Sequence, residues 1–299
     1  MDQPLTTPLW DKVTADAQLV TLPAVYLRLK EVLDDPDYTV ADIEDAIGSD
    51  PAVAARLLRV ANSPYFGFSA QVATIARAVG LLGSQQVHDL VLATSVAQTF
   101  AAIPIDVIDM HAFWTRSVYR AIAARTLAGH CRLPERERLF VGGLLLDIGH
   151  LVMYQSIPHE ARAALQRADA EQRALHQVER ELLGFDFARL GGELLARWGL
   201  PQSLWEPVMQ HVRPAQQLDH AVETAVLHLA AQLCALGPAD GEASCQSQAQ
   251  PVAWQLTGLT PDLCPELQAA VEQQLEGVMF MIFPGSKTVH TGSRLALDL

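Results

Sequence analysis

The 299 residues carry 21 Lys and Arg against 34 Asp and Glu, a formal net charge of −13 at pH 7. So acidic a chain argues against binding to nucleic acid or to an anionic membrane, since either would need a basic face. Half of the residues are hydrophobic and 18% are charged, which excludes wholesale disorder and allows a sizeable core. The length leaves open both two lobes and one elaborated domain.

The first hundred residues carry the capping signals and apolar spacing of successive helices. Helices are predicted after Pro23, after the sequence Thr39-Val40-Ala41-Asp42, after Asp50-Pro51, after Thr74 and from Ser84. The Thr39 sequence resembles a capping box with Asp in place of Glu. Pro104 breaks the pattern and places a lobe boundary near residues 101–110.

Helical periodicity continues in the second lobe, whereas the alternation typical of strands is almost absent. The predicted helices cover approximately residues 110–130, 134–155, 158–182, 187–198, 201–211 and 220–236. The sequence therefore predicts an all-α, two-lobed helical bundle with a C-terminal extension. The predicted domain bounds are 13–105, 106–236 and 237–299.

The C-terminal extension begins with a Gly- and Pro-containing linker over residues 237–251, and a final helix is predicted over 261–276. An apolar run follows, Val278-Met279-Phe280-Met281-Ile282-Phe283. We favour packing of this run against the protein's own core. The alternative is an exposed patch used for self-association or for a partner.

The four cysteines lack the close spacing of a zinc or redox motif. They are Cys131, Cys234, Cys245 and Cys264, and no two of them form a CxxC pair. We interpret them as reduced thiols. The sequence has neither a secretory signal at its start nor a continuous apolar stretch of about 18–20 residues. We therefore expect a soluble, cytoplasmic protein.

Several blocks resemble the HDOD family of bacterial domains. The first is DPAVAARLLRVANSPYFGFS at Asp50–Ser69; FWTRSVYRAIAAR, FVGGLLLDIGHLVMYQ, GFDFARLGGELLARWGLP and WEPVMQHVRP follow in the family's order. The resemblance covers about residues 13–235. HDOD domains are related to metal-dependent HD phosphohydrolases but usually lack their catalytic residues. The resemblance thus implies that residues 106–236 form an HD-like helical lobe.

The resemblance also shows where the metal ligands of HD enzymes would fall. The first His falls at Arg116, the His-Asp pair at Leu146-Asp147, a further His at Phe187, a His-His pair at His211-Val212 and a distant Asp near Ala231. A guanidinium cannot act as a ligand, and Leu, Phe and Ala offer no donor. We therefore expect no metal, no cofactor and no catalytic residues. If a metal is bound, Asp147, His150 and His211 are the candidate ligands.

Arg116 and Asp147 would attract each other at the position where the enzymes hold a metal ion. We therefore predict an Arg116–Asp147 ion pair in the former metal cavity. For the three histidines of this region we favour structural roles: His150 in a hydrogen bond on a helix surface, His211 bonded to a backbone group or carboxylate, and His228 in helix packing beside a polar partner.

The sequence Asn62-Ser63-Pro64-Tyr65-Phe66-Gly67 is the most distinctive block. Its structural interpretation is a helix stop in which Asn62 tolerates the left-handed region and Pro64 ends the helix. Its functional interpretation is a loop that contacts a partner or ligand, which makes Asn62, Ser63, Pro64, Tyr65 and Phe66 interaction candidates. The pairs Gly142-Gly143 and Gly191-Gly192 are interpreted as sites of close helix packing.

The resemblance implies a non-catalytic signalling module that binds other proteins. No receiver, GGDEF or EAL segment is present, so a signalling partner is expected in trans, and a homo-oligomer is possible. One alternative is a metal-dependent phosphohydrolase or phosphodiesterase with a rearranged site that uses Asp147, His150, His211 and acidic residues such as Asp186. Another is a sensor that binds a nucleotide or other small ligand in the emptied cavity.

Overall fold

The structure, a computed structural model, describes residues 8–19, 22–62, 68, 71–100, 108–235 and 249–282, without the side chains of 17–19, 97–99 and 281. Every regular element in these ranges is helical, which confirms the predicted all-α class. The helices are α1 Pro8–Leu19, α2 Ala24–Asp34, α3 Val40–Gly48, α4 Pro51–Ala61, α5 Ile75–Leu82, α6 Ser84–Thr99, α7 Met110–His130, α8 Arg136–Leu144, α9 Ile148–Ser156, α10 Pro158–Glu171, α11 Leu175–Leu183, α12 Phe187–Arg197, α13 Gln202–Gln210, α14 Ala221–Ala235, α15 Pro251–Thr257 and α16 Cys264–Ile282, with a 3₁₀ turn at Pro261–Leu263.

The chain divides into two compact units. Of the described residues, the central unit comprises 8–19, 108–235 and 249–268, and the N-terminal unit comprises 22–62, 68, 71–100 and 269–282. These two units are defined by contacts in space, whereas the sequence predicts segments along the chain. The predicted domain bounds therefore stay a prediction. In the N-terminal unit, α2 packs on α3 and α6, and α4 packs on α3, α5 and α6. In the central unit, α7 packs on α8 and α14, and α12 packs on α9 and α13.

The caps of the N-terminal unit form as the sequence predicts. The Thr39 N–H donates to Asp42 Oδ2 at 2.8 Å, and the Asp42 N–H donates to Thr39 Oγ1 at 3.4 Å. The Asp50 carboxylate accepts from the N–H groups of Ala52 and Val53, and Thr74 Oγ1 accepts from the Arg77 N–H. These bonds satisfy donors that the first turn of a helix otherwise leaves free.

Two predicted long helices are each divided in the structure. The one expected over 134–155 is α8 and α9 with a turn at residues 145–147, and the one expected over 158–182 is α10 and α11. Residues 139–154 are all buried, so no amphipathic pattern marks the first break. At the second break, Gln172 adopts a left-handed conformation with φ of 49°, without the Gly or Pro that usually signals one.

Two further expectations about the chain are corrected. Helix α1 is not predicted from the sequence, and Trp10 on it packs edge-on against Phe185 with ring centroids 5.1 Å apart. Cys264 is disulfide-bonded, so the expectation of reduced thiols is wrong there, whereas Cys131 and Cys234 are free. Cys245 lies outside the described residues. A cytoplasmic location stays a prediction.

The C-terminal apolar run belongs to the end of α16. Val278, Met279 and Ile282 are buried, whereas Phe280 is 61% exposed. The side chain of Met281 and all of Phe283 lie outside the described residues. Packing on the core therefore accounts for three of the four side chains that the structure describes.

One stretch, Arg136–Ser156, is long and apolar enough by composition to cross a membrane. Its most apolar window is 94% buried inside the protein. It consists of α8, the turn at 145–147 and α9, which together form part of the helical core of the central unit.

Close packing of α8 against α7 depends on Gly143. A Cβ atom at Gly143 would lie 2.6 Å from the carbonyl oxygen of Arg120 and 2.8 Å from Cα of Ala121, both in the rigid backbone of α7. At the neighbouring Gly142, a Cβ would meet side-chain methyl groups instead, those of Leu227 at 3.2 and 3.5 Å and one of Leu204 at 3.6 Å. The structure therefore supports the close-packing interpretation at Gly143 and equally at Gly192, where a Cβ would overlap Cβ of Met209 and lie 2.9 Å from its Cα.

We expect Gly143→Ala to lower the free energy of unfolding by about 1–3 kcal/mol, because overpacking outweighs the gain in helix propensity. Gly142→Ala is the matched control: its neighbours are the ends of two flexible leucine side chains, so stability should stay within about 0.5 kcal/mol or rise. Urea unfolding followed by circular dichroism measures both. Equal destabilisation by the two substitutions would contradict a specific requirement for glycine at position 143.

Candidate functional site

Four of the predicted site residues meet inside the central unit. Asp147 immediately precedes α9, His150 lies in its first turn, Phe187 begins α12 and His211 follows α13. The rings of His150 and Phe187 stack with centroids 4.0 Å apart, and those of Phe187 and His211 meet edge-on at 5.6 Å. All four residues are buried.

The predicted ion pair forms with a different arginine. Nη1 of Arg120, not the guanidinium of Arg116, makes a direct ion pair with Oδ2 of Asp147. The two arginines are four residues apart on α7 and share one face of it. Arg116 still contributes an attractive charge to Asp147, but at longer range. The Arg116–Asp147 pair was therefore wrong by one helical turn.

The ion pair fixes the charge state of both partners. Burial alone would raise the pKa of Asp147, but Arg120, with further contributions from His150 and Arg116, lowers that pKa to about 2. Burial opposes the charge of Arg120, and Asp147 together with Cys234 outweighs it, so the pKa of Arg120 is raised. Both side chains are thus ionised at neutral pH.

His150 is held between a carboxylate and an aromatic ring rather than on a helix surface. Its Nε2 lies 2.9 Å from Oε1 of Glu179, and its Nδ1 lies 4.0 Å from Oδ1 of Asp147. The other oxygen of Glu179 accepts from the Phe187 N–H at 3.0 Å. Glu179, on α11, is 1% exposed and was missed in the sequence. It lies in a segment with many charged residues, where nothing in the sequence marks one of them as buried.

His211 and His228 have the structural roles favoured from the sequence. His211 Nδ1 donates to the Val208 carbonyl at 2.7 Å, and His228 Nδ1 donates to the His211 carbonyl at 2.8 Å. His228 Nε2 accepts from the Gln250 N–H at 3.0 Å. Burial lowers the pKa of His211 to about 3 and also lowers the pKa of His228. Both rings are therefore neutral at pH 7.

The side chains at this site do not fit a metal ion. Arg120 occupies the carboxylate of Asp147, and the fully buried Leu146 and the aromatic Phe187 offer no donor. Within the described ranges, no three His, Cys, Asp or Glu side chains are grouped so that they could hold a metal ion. HD-type metal chemistry needs several ligands around the ion, and this arrangement does not supply them.

The other predicted residues lie apart from this cluster or outside the description. Asp186 caps α12 by accepting from the Arg189 N–H, and Ala231 is a partly buried residue of α14. Of the interaction candidates, the structure describes Asn62 alone. Ser63, Pro64, Tyr65 and Phe66 lie outside the described residues, so their role stays a prediction.

Comparison with known proteins identifies the family. The sequence model of the HDOD domain matches residues 19–214, which is more than half of the chain. The protein belongs to the HDOD domain family. The match includes Arg120, Asp147, His150, Glu179 and His211, so the ion pair and its neighbours are part of the HDOD domain itself.

Solved structures share the HDOD fold over nearly the whole chain. A proposed phosphohydrolase from Shewanella amazonensis SB2B is 26% identical, with a TM-score of 0.72 over 92% of this chain and 96% of that one. A proposed signal transduction protein from Marinobacter aquaeolei VT8 is 21% identical, with a TM-score of 0.67 over 92% of this chain and 65% of that one.

A longer relative is also found by sequence. An uncharacterized protein of Treponema pallidum (strain Nichols) is 26% identical over 203 residues. The match covers 68% of this chain but 38% of the Treponema protein. This chain therefore corresponds to only part of that larger protein.

Proposed function

We propose that this HDOD protein is a non-catalytic signalling module that acts by binding other proteins. The observation that carries the proposal is the Arg120–Asp147 ion pair, at the carboxylate that the family resemblance aligns with a metal ligand of HD enzymes. A guanidinium bonded to the remaining carboxylate replaces the cation electrostatically, but it has no coordination position for a water nucleophile. The domain keeps its packing and loses the means of activating water.

The neighbouring groups support the same proposal. His150 is bonded to Glu179 and stacked on Phe187, and His211 donates from Nδ1 to a backbone carbonyl. These contacts hold the rings within the protein core. Polar side chains that are bonded within the core stabilise a fixed conformation, which suits a domain that presents a surface to a partner.

Metal analysis tests the non-catalytic part of the proposal. Protein purified without chelator is expected to hold iron, manganese and zinc far below one ion per chain. It is also expected not to hydrolyse bis-p-nitrophenyl phosphate when Mn²⁺ is added. Asp147→Asn is the matched control, because it keeps the shape of the side chain and removes its charge. Stoichiometric metal or turnover that disappears in Asp147→Asn would favour the phosphohydrolase alternative.

Cross-linked co-purification from the source organism tests the binding part. The expected result is a signalling protein recovered with the wild-type chain and absent with an unrelated acidic bait. The nucleotide-sensor alternative predicts instead a ligand-dependent rise in melting temperature across a nucleotide panel. Such a rise in the absence of any recovered partner would count against the proposal.

A further inference from the structure

A groove in the N-terminal unit lies far along the chain from the ion pair. Its described lining is Ala55, Leu58, Arg59 and Asn62 from the last turns of α4, with Phe68, Gln71, Val72 and Ala73 opposite. The groove is open to solvent and has a volume of about 920 Å³. Five of these eight residues are apolar.

Asn62 fixes the spacing of the two walls. Its Nδ2 donates to the carbonyls of Leu58 and Val72, each at 2.7 Å, and its Oδ1 accepts from the Val72 N–H at 2.7 Å. One side chain thus joins the end of α4 to the opposite wall through both polar groups of the Val72 backbone. A binding surface that is already ordered avoids part of the entropy cost of association.

The described lining of the groove contains one cation, Arg59, and no carboxylate. Residues 51–73 contain two arginines, Arg56 and Arg59, and no acidic residue, in a chain with a net charge of −13. Arg59 lines the groove and is exposed, and no carboxylate within the described part of the chain forms an ion pair with it. The side of α4 that faces the groove therefore carries an available cation.

A second arginine strengthens this local positive potential. Arg56 is 7% exposed, and its Nε and Nη2 atoms are buried without a hydrogen-bond partner among the residues that the structure describes. Burial lowers the pKa of Arg56, the attraction of Asp50 opposes this, and the repulsion of Arg59 adds to the lowering. An anionic group brought to Arg59 would relieve that repulsion. Two neighbouring cations that form no ion pair within the described part of the chain point to an acidic ligand.

We propose that this groove binds a short peptide segment of a partner protein in which a carboxylate lies beside apolar side chains. The carboxylate pairs with Arg59, and the apolar side chains cover Ala55, Leu58 and Val72. A polyanion such as a nucleic acid fits less well, because the rest of the protein repels it. The inference rests on the proposed function and names the chemistry of the partner.

Peptide selection tests the groove directly. A phage-displayed random peptide library is panned on the immobilised full chain, and synthetic versions of the enriched peptides are measured by fluorescence anisotropy. The expected sequences contain Asp or Glu next to aliphatic or aromatic residues. Arg59→Glu should weaken their binding by about tenfold or more, equivalent to about 1.4 kcal/mol. Ala55→Trp, which fills the groove from an exposed helix position, should weaken it similarly.

Arg28→Glu is the matched control, since it makes the same charge change at an exposed position on α2 that does not line the groove. If the peptides bind Arg59→Glu and wild type equally, the groove is not the peptide site. A protein-binding role elsewhere on the chain would remain intact. Failure to enrich any acidic peptide would also contradict the proposed peptide site. The non-catalytic part of the proposed function is decided separately, by the metal and turnover measurements. Purely acidic peptides displaced by inorganic phosphate would reduce the groove to a simple anion site and overturn the proposal.

Discussion

Arg120→Ala is expected to lower the free energy of unfolding by about 3–5 kcal/mol, because it leaves the buried carboxylate of Asp147 without its ion-pair partner. Asp147 is 7% exposed, so water cannot readily replace the guanidinium. With Arg120 removed, burial dominates and the pKa of Asp147 should rise. The variant should therefore be more sensitive to pH than wild type. Urea unfolding followed by circular dichroism at several pH values measures both effects.

Two companion variants make this test specific. Arg116→Ala removes an arginine from the same face of α7, one turn earlier, and should cost less than about 1 kcal/mol because Arg116 makes no direct ion pair with Asp147. The double variant Arg120→Met/Asp147→Leu should recover much of the lost stability, since an apolar pair can replace a buried ion pair. A larger loss of stability from Arg116→Ala than from Arg120→Ala would indicate that Asp147 pairs with Arg116, as the sequence predicts.

The helices of the N-terminal unit could be predicted because their signals are local. Thr39, Asp50 and Thr74 each cap the helix that follows, and the hydrogen bond that gives the cap its stability lies within three residues. The turn at 145–147 could not be predicted in this way. Every residue around it is buried, so the periodicity that reports a helix face is lost.

The candidate site was predictable in its chemistry and less so in its geometry. The sequence showed that a cation had replaced a ligand near Asp147, but motif alignment gave the position of the lost ligand at Arg116. The side chain that reaches Asp147 belongs to Arg120. Which of two arginines one turn apart makes the contact depends on how α7 packs against the turn before α9. That packing has no local sequence signal.

Glu179 illustrates a second limit of the sequence. It lies on α11, 29 residues from His150, in a segment rich in exposed charges. Nothing in the local pattern separates this buried glutamate from its exposed neighbours. Its role depends on two contacts made through the tertiary fold, with His150 Nε2 and with the Phe187 N–H. Groups of this kind become recognisable only when the helices are placed together.

Acidification from pH 7.5 to 5 is expected to destabilise the protein through its buried neutral histidines. In the folded protein the pKa of His211 is lowered to about 3, and that of His228 is lowered as well. In the unfolded chain each His takes up a proton near about pH 6.5, so the unfolded state binds more protons below that value. Stability from these groups is therefore complete above about pH 6.5 and is lost as the pH falls. The loss at pH 5 is about 2 kcal/mol for each His whose folded pKa lies well below 5.

His211→Asn isolates this effect, because the Asn amide can still donate to the Val208 carbonyl while the titrating ring is removed. The variant should be less stable than wild type at pH 7.5, and the difference should shrink by about 2 kcal/mol at pH 5. His130→Asn, at an exposed position on α7, is the control and should not change the difference between the two pH values. Below about pH 4 a further loss should follow in both proteins, since the lowered pKa of Asp147 stabilises the folded state only while that carboxylate is ionised. A constant difference between wild type and His211→Asn across this range would show that the His211 ring accepts a proton in the folded protein, contrary to its hydrogen bond and burial.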